Sequence, residues 1–270
     1  MIKTVLLAPV GNSLYARLIA NALSREEDIE ISAVVVRSIW NPRRLRNELK
    51  RDGGRLMRKI YQKLVVGDKR FSENKGNNLA ALAHQQQLKF KNLSDLTKKL
   101  GIPYHVVADH NHLKCLEILQ EHQPDVIIFT GGGLLRPPLL AIPRLGVLNC
   151  HTGILPQYRG MDVVEWTAVE EKVGQIGFGA TLHFLDSGVD TGPILLKKMV
   201  TLSSDATFEN IRAELETLMV ELMICAVQGL RDGSVSPIPQ VQSEGRQYFV
   251  MHPRIKIAAQ TRLERQRSEV

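Results

Sequence analysis

Residues 2–36 read IKTVLLAPVGNSLYARLIANALSREEDIEISAVVV, and this stretch decides the architecture. Ile2 to Ala8 is a largely apolar run of strand length, closed by a Pro9-x-Gly11 turn. Apolar residues then recur at helical spacing from Leu14 to Leu23, and Ile29 to Val36 forms a second buried run. Strand, helix and strand in this order make one parallel crossover unit, because parallel neighbours need such a connection. The pattern continues downstream. Helical patterns at Leu93 to Leu100 and Leu113 to His122 precede Val126 to Phe129, and Gly146 introduces Val147-Leu148. This alternation predicts a Rossmann-like α/β fold with an open, mostly parallel sheet. Ligands in such sheets bind beyond the carboxyl ends of the strands, which puts weight on whatever follows Leu148.

Three stretches break the alternation. The first, about Trp40 to Asn92, is a basic insertion after the second strand. Between Asn41 and Arg70, eleven Lys or Arg accompany three acids, Glu48, Asp52 and Asp68. That local balance of +8 exceeds the +7 of the whole chain, so the basicity belongs to one segment. Within it Leu56, Met57, Ile60, Tyr61, Leu64 and Val65 predict an amphipathic helix. The second stretch, Thr207 to Leu230, is a long helical pattern with Ser203, Ser204 and Asp205 as cap candidates and Asp232-Gly233 as its stop. The third, Ser234 to Val270, is proline-punctuated, then basic, and predicts a tail ending in a frayed helix. The expected organisation is a domain over residues 1–200, holding the insertion at about 40–92, with the helix and tail of residues 201–270 packed on it.

Composition narrows the class. Seven Phe, five Tyr and two Trp are few enough to predict an aliphatic core, as parallel sheets favour. Cys115, Cys150 and Cys225 are odd in number and widely spaced. They point to neither a disulfide framework nor a thiolate metal site, and to a reducing compartment. Met1-Ile2-Lys3 runs into a strand without the features of a secretory leader, and no apolar run approaches the roughly 18 residues of a membrane span. A cytoplasmic location is expected.

The densest chemistry lies in GVLNCHTGILPQYRG (residues 146–160) and FGATLHFLDSGVDTGPILL (residues 178–196). Asn149 and His151 stand two apart at the end of a predicted strand, so an amide and an imidazole share one face. Cys150 between them points to the other face and is expected in the core. Gly160 turns the chain into a helix predicted from Met161, Gly179 to Leu185 predicts a strand, and Asp186 to Pro193 a tight, defined loop. An amide, an imidazole and a carboxylate suit acyl transfer to an amine. Asn149 or a protonated His151 would stabilise an oxyanion, and His151 moves protons near neutrality. Asp190 would orient the ring, hold its charged form or relay a proton through water. The amine attacks directly, so no nucleophilic Ser or Cys is required. The plain alternative is a structural His beside turn carboxylates.

Asn149-x-His151, then Ile154-Leu155-Pro156-x-Tyr158-Arg159-Gly160, then Gly188-Val189-Asp190-Thr191-Gly192 closely resembles the folate-dependent formyltransferases. That family includes the glycinamide ribonucleotide, methionyl-tRNA and amino-sugar N-formyltransferases. The resemblance runs over roughly Met1 to Thr201 with the insertion set aside, and makes residues 1–200 the catalytic domain. It implies 10-formyltetrahydrofolate as co-substrate, without a metal, and a catalytic triad at Asn149, His151 and Asp190, with Asp186 the rival carboxylate. It also implies that Gly133, Leu134, Leu135 and Arg136, together with Asp186, Gly188 and Val189, lie in the two loops whose backbone groups hold the pterin. Two departures bear on the acceptor. The glycinamide ribonucleotide enzymes carry a Gly-Ser-Gly-Ser-Asn loop after the first strand, where this chain has Pro9-Val10-Gly11-Asn12-Ser13. The transfer-RNA enzymes carry a further C-terminal β-barrel, where the residues after Val200 predict a helix and tail. The expected acceptor is therefore a small, anionic primary amine such as a nucleotide-linked amino sugar. The rivals are hydrolysis of 10-formyltetrahydrofolate and a non-catalytic folate-binding protein.

Other residues have quieter readings. The basic insertion suits an anionic acceptor, an RNA backbone or peripheral contact with an anionic membrane, or is a solvated helical face. Few aromatics and no RNA-binding signature argue against nucleic acid. Asp109-His110-Asn111-His112 is expected to be a strand-to-helix turn with Asn111 as cap rather than a metal cluster. His183 lies on a strand near the site and is a candidate to line it, with the core or the surface its expected place. Arg159 is a candidate contact for an anionic substrate group, and the long C-terminal helix a candidate oligomer interface.

Overall fold

The computed structural model describes residues 1–38 and 78–267. The amphipathic helix expected at Leu56 to Val65 lies outside the described residues.

The two apolar runs of the opening unit form β1 (Ile2–Ala8) and β2 (Ile29–Arg37), joined by α1 (Leu14–Leu23). Ser13 caps α1, its hydroxyl accepting from the Ala16 amide. The chain re-enters at α2 (Leu79–Gln85) and α3 (Leu93–Leu100), followed by β3 (Tyr104–Val107), α4 (Leu113–His122) and β4 (Val126–Phe129). A short α5 (Pro137–Leu140) leads to β5 (Gly146–His151), then β6 (Tyr158–Gly160) and α6 (Val163–Val169). The pair β7 (Gly179–Phe184) and β8 (Ile194–Met199) precedes α7 (Phe208–Asp232). A last strand, β9 (Arg246–Tyr248), and α8 (Pro253–Gln266) close the described chain.

Seven strands form one sheet in the order β3-β2-β1-β4-β5-β7-β8. The first five are parallel, whereas β7 and β8 run antiparallel to their neighbours. All four side chains of β4 are buried, as a central strand covered on both faces requires. Val126 and Ile128 enter one hydrophobic layer, with α1 and α7. Ile127 and Phe129 enter the other, with Cys115, Ile118 and Leu119 of α4. Each such aliphatic side chain stabilises the fold by about 1.5–3 kcal/mol. Leu215, Leu218, Met223 and Val227 of α7 lie in the same layer as Leu6 and Leu148.

Four local expectations are corrected. The long helix is capped by Thr207 rather than by Ser203, Ser204 or Asp205: the extended Thr207 accepts from the Asn210 amide. The helix expected from Met161 starts at Val163, because the Met161 amide bonds to the Tyr248 carbonyl and Asp162 takes a left-handed φ of 53°. His112, not Asn111, caps α4. The terminal helix is docked rather than frayed over its described length. Ala259, Leu263 and Gln266 are buried, and Gln266 hydrogen-bonds the Ala168 carbonyl and the Val173 amide. No helix among the described residues is long and apolar enough to cross a membrane.

Candidate active site

Strand alternation places Asn149 and His151 on one face of β5 and sends Cys150 into the hydrophobic layer. Burial pushes the Cys150 thiol well above its usual range, so it stays an inert core group. His151 is almost wholly buried, at 8% exposure. Its Nε2 lies 2.8 Å from the Tyr158 carbonyl oxygen. A carbonyl only accepts, so Nε2 carries a proton. Nδ1 is then the ring atom that gains and loses the second proton, and it faces Asp190 Oδ2 at 3.4 Å.

Asp190 arrives by an indirect route. Because β7 runs against β5, with Leu148 opposite Phe184 and His151 opposite Thr181, β7 ends beside the amino-terminal half of β5. The loop of residues 185–193 therefore folds back over the sheet for Asp190 to reach His151. The Asp190 carboxylate accepts from the Gly160 amide at 2.9 Å, and its Oδ1 lies 3.5 Å from His183 Nε2. Burial favours the neutral acid. The charge on His151 and the hydrogen bond from the Gly160 amide outweigh it and hold the Asp190 pKa at about 2. The result is a carboxylate that stays ionised in a confined site. His151 is shifted the other way: burial lowers its pKa below the usual 6.5, the charge of Asp190 and the Tyr158 carbonyl oppose this, and His183 adds to the lowering.

His183, expected in the core or at the surface, joins the site. It is fully buried, directly across from Asn149 in the β5–β7 pair. Its Nδ1 donates to the Phe184 carbonyl at 2.8 Å, which leaves Nε2 to accept from the Asn149 amide nitrogen at 3.2 Å. That contact turns the Asn149 amide so that one N–H is engaged and the other stays available. The register of β7 against β8 shifts between Leu182 and His183, a strand irregularity of the kind that re-aims side chains next to functional sites. A single titratable side chain in the otherwise uncharged run of residues 178–185, just before the Asp186–Pro193 loop, was the available signal.

The rival carboxylate has a different task. Asp186 Oδ1 accepts from the Gly188 amide at 3.0 Å and from the Thr191 hydroxyl at 2.6 Å. It builds the turn that carries Asp190. Gly188 and Gly192 are forced by the same turn: a Cβ on Gly192 would lie 2.0 Å from the Phe184 carbonyl oxygen. Val189 is half-buried beside Asp190.

The loop after β4 is set differently. Gly131, Gly132 and Gly133 all have positive φ, and Arg37 donates to the Gly132 carbonyl. Asn111 accepts from the Arg136 amide at 2.7 Å and donates to the Leu134 carbonyl at 2.8 Å. These bonds explain why it does not cap α4. Leu135 packs on the second hydrophobic layer, whereas Leu134 and Arg136 are exposed. Arg159, the candidate anion contact, donates to the Gly245 carbonyl at 3.2 Å. No group of three or more metal-ligating side chains occurs among the described residues.

A family model described as Formyl transferase matches residues 61–227, more than half of the chain. By sequence, the chain is 32% identical over 160 residues to the methionyl-tRNA formyltransferase of Trichlorobacter lovleyi, covering 59% of this chain and 50% of that protein. The corresponding enzyme of Carboxydothermus hydrogenoformans is 33% identical over 154 residues, covering 53% and 49%. The chain thus spans about half the length of the curated relatives it matches. By structure, it superposes on glycinamide ribonucleotide transformylase 1 from Symbiobacterium toebii with a TM-score of 0.56 at 17% identity, covering 88% of this chain and 94% of that one. A sugar N-formyltransferase from a Shewanella species gives a TM-score of 0.57 at 14% identity, covering 97% and 87%. At such identities the structural likeness speaks for the fold alone.

Proposed function

The chain belongs to the formyl transferase family, and from that premise we propose that it moves the formyl group of 10-formyltetrahydrofolate onto a primary amine of a small metabolite. The observation that carries this reading is the convergence of Asn149, His151 and Asp190, with an ionised carboxylate 3.4 Å from the proton-accepting nitrogen of a buried imidazole.

The amine nitrogen attacks the formyl carbon, and the carbonyl oxygen becomes an oxyanion. The free N–H of Asn149 stabilises it, since its amide is already oriented by His183. The proton lost by the amine is taken up at His151 Nδ1, where Asp190 balances the charge. As the bond from the formyl carbon to N10 breaks, that proton passes to N10, giving tetrahydrofolate and the N-formyl product. Every step uses groups already in place, so little reorganisation is needed.

The loop holding Gly133 to Arg136 and the loop holding Asp186, Gly188 and Val189 are the proposed pterin contacts. Their backbones are fixed by Asn111 and Asp186, which favours recognition through main-chain groups. The proposed acceptor is an amino sugar carried on a nucleotide, whose negative charge suits the basic residues of the insertion. A second reading, methionyl-tRNA as acceptor, draws on the sequence relatives, which carry that activity in their names.

The test is turnover of 10-formyltetrahydrofolate with nucleotide-linked amino sugars, glycinamide ribonucleotide and methionyl-tRNA, run beside His151→Ala. Formylation of one amine, reduced about 100- to 10,000-fold in the variant, is the expected result. Formate release without any amine would replace transfer by hydrolysis, and turnover unchanged in His151→Ala would remove His151 from the chemistry.

A further inference from the structure

The segment that follows α7 returns to the catalytic face and contacts both sides of the triad. Ile238 pairs with Ile194 through two backbone hydrogen bonds of 2.7 and 2.8 Å. Two residues later the side chain of Gln240 meets the Asp190 loop. Its Nε2 donates to the carbonyl oxygen of Asp190 at 3.0 Å and to that of Gly192 at 2.6 Å. Its Oε1 is buried and meets no donor among the described residues, so the contacts of the amide go to the loop alone.

The loop needs such a hold. Asp190 has a φ of 53°, a left-handed conformation that costs a non-glycine residue and persists only when its surroundings fix it. Between Phe184, opposite Leu148, and Asp190, beside His151, the loop also has to run back along β5. Further along the tail, β9 pairs with β6, setting Arg246 beside Tyr158 and Tyr248 beside Gly160. Those two β6 residues supply the carbonyl that fixes the His151 tautomer and the amide that holds Asp190.

We propose that Gln240 is a positioning residue for the transfer reaction, its side-chain amide fixing the backbone of the Asp190 loop so that the carboxylate meets His151. The inference rests on the formyl-transfer reading of the triad. Gln240 touches none of the three catalytic side chains. It acts through the main chain of Asp190, and its removal is felt where Asp190 is felt.

The test uses Gln240→Met, which keeps the length and removes both donors, alone and combined with Asp190→Asn. Gln242→Ala, an exposed position of the same tail, is the control. Gln240→Met is expected to lower kcat about 10- to 100-fold, as sub-ångström to ångström misplacement of a catalytic group does. The KM for 10-formyltetrahydrofolate stays within about threefold, and the substitution adds less than about twofold to the loss already caused by Asp190→Asn. By NMR, the His151 ring, surrounded by Asp190, His183 and the Tyr158 carbonyl, titrates at lower pH in Gln240→Met than in the unaltered chain or the control. An unchanged kcat, an equal fold-loss in both backgrounds, or an unmoved His151 titration would overturn the proposal. Should Gln240→Met fail to fold, Gln240→Glu keeps the shape and replaces the donor by an acceptor, and is judged by kcat in the two backgrounds alone, since its charge would itself raise the His151 pKa. If the unaltered chain turns over no amine, the formyl-transfer reading fails on its own, while the titration still decides whether Gln240 sets the Asp190–His151 contact.

Discussion

At the scale of the residue, the site is governed by which atom of His151 is free. The Tyr158 carbonyl occupies Nε2, so proton exchange is confined to Nδ1, within reach of a carboxylate that remains ionised. Burial and Asp190 pull the imidazole in opposite directions, and burial prevails. Asp190→Asn therefore lowers the His151 pKa further. The acid limb of kcat/KM should move to lower pH while its plateau falls about 100-fold or more, read from pH–rate profiles of the two proteins. An acid limb displaced upward would show that Asp190 does not support the charged ring. His183 belongs to the same account, because it fixes the amide of Asn149 and lies beside the second oxygen of Asp190.

At the scale of the element, the three-residue strands β6 and β9 carry more than their length suggests. A two-stranded ribbon is marginal by itself, and this one is supported by side chains. Tyr158 stacks on Tyr248 at 5.1 Å, Trp166 lies 5.4 Å from the same ring, and both tyrosine hydroxyls donate to Glu170. Gly160 is the pinch point. Its φ is +98°, and a Cβ would stand 2.1 Å from the Tyr248 carbonyl oxygen. Gly160→Ala should force the ribbon apart, withdraw the amide from Asp190, and destabilise the fold by about 1–3 kcal/mol. Denaturant unfolding and kcat measured on the same sample check both effects. Stability and activity equal to the parent would show that the ribbon does not brace the site.

At the scale of the molecule, the parallel sheet creates a third buried histidine with a global consequence. His110 follows β3, is 1% exposed, and packs edge-on against Phe129 at 6.2 Å. Burial, aided by the charge of Arg37 and opposed by Asp109 and nearby backbone, lowers its pKa to about 4. The folded-state value lies below the unfolded one near 6.5. Between those pH values the unfolded chain binds the proton and the folded chain does not, so stability falls as the pH drops through this window. The size is about 3 kcal/mol from this residue. His110→Leu should flatten the decline in Tm between pH 6.5 and 4, measured by thermal unfolding across that range. An unaltered slope would mean that His110 gains its proton without loss of packing. Asp190 adds a separate decline: its folded pKa of about 2 is below the unfolded carboxylate's, so its contribution is present above about pH 4 and lost toward pH 2.

Features that depend on period and local chemistry were legible along the chain. The bounds of α1, α3 and α4 match their apolar spacing, and β5 follows from its buried run and the glycine that opens it. Asn149 and His151 share a face because strand geometry has a period of two. Caps were less legible, since Thr207 and Ser203 are chemically equivalent candidates until the backbone takes an extended turn at one of them. The rest follows from contacts between segments far apart in the chain. No local signal states that β7 runs against β5, yet that direction sends the Asp190 loop back across the sheet and places His183 opposite Asn149. Nor does any local signal bring Gln240 and Tyr248 to the Asp190 loop and Gly160. Their contacts span roughly fifty to ninety positions of chain, and packing of the complete sheet, not propensity along the sequence, brings such distant segments together.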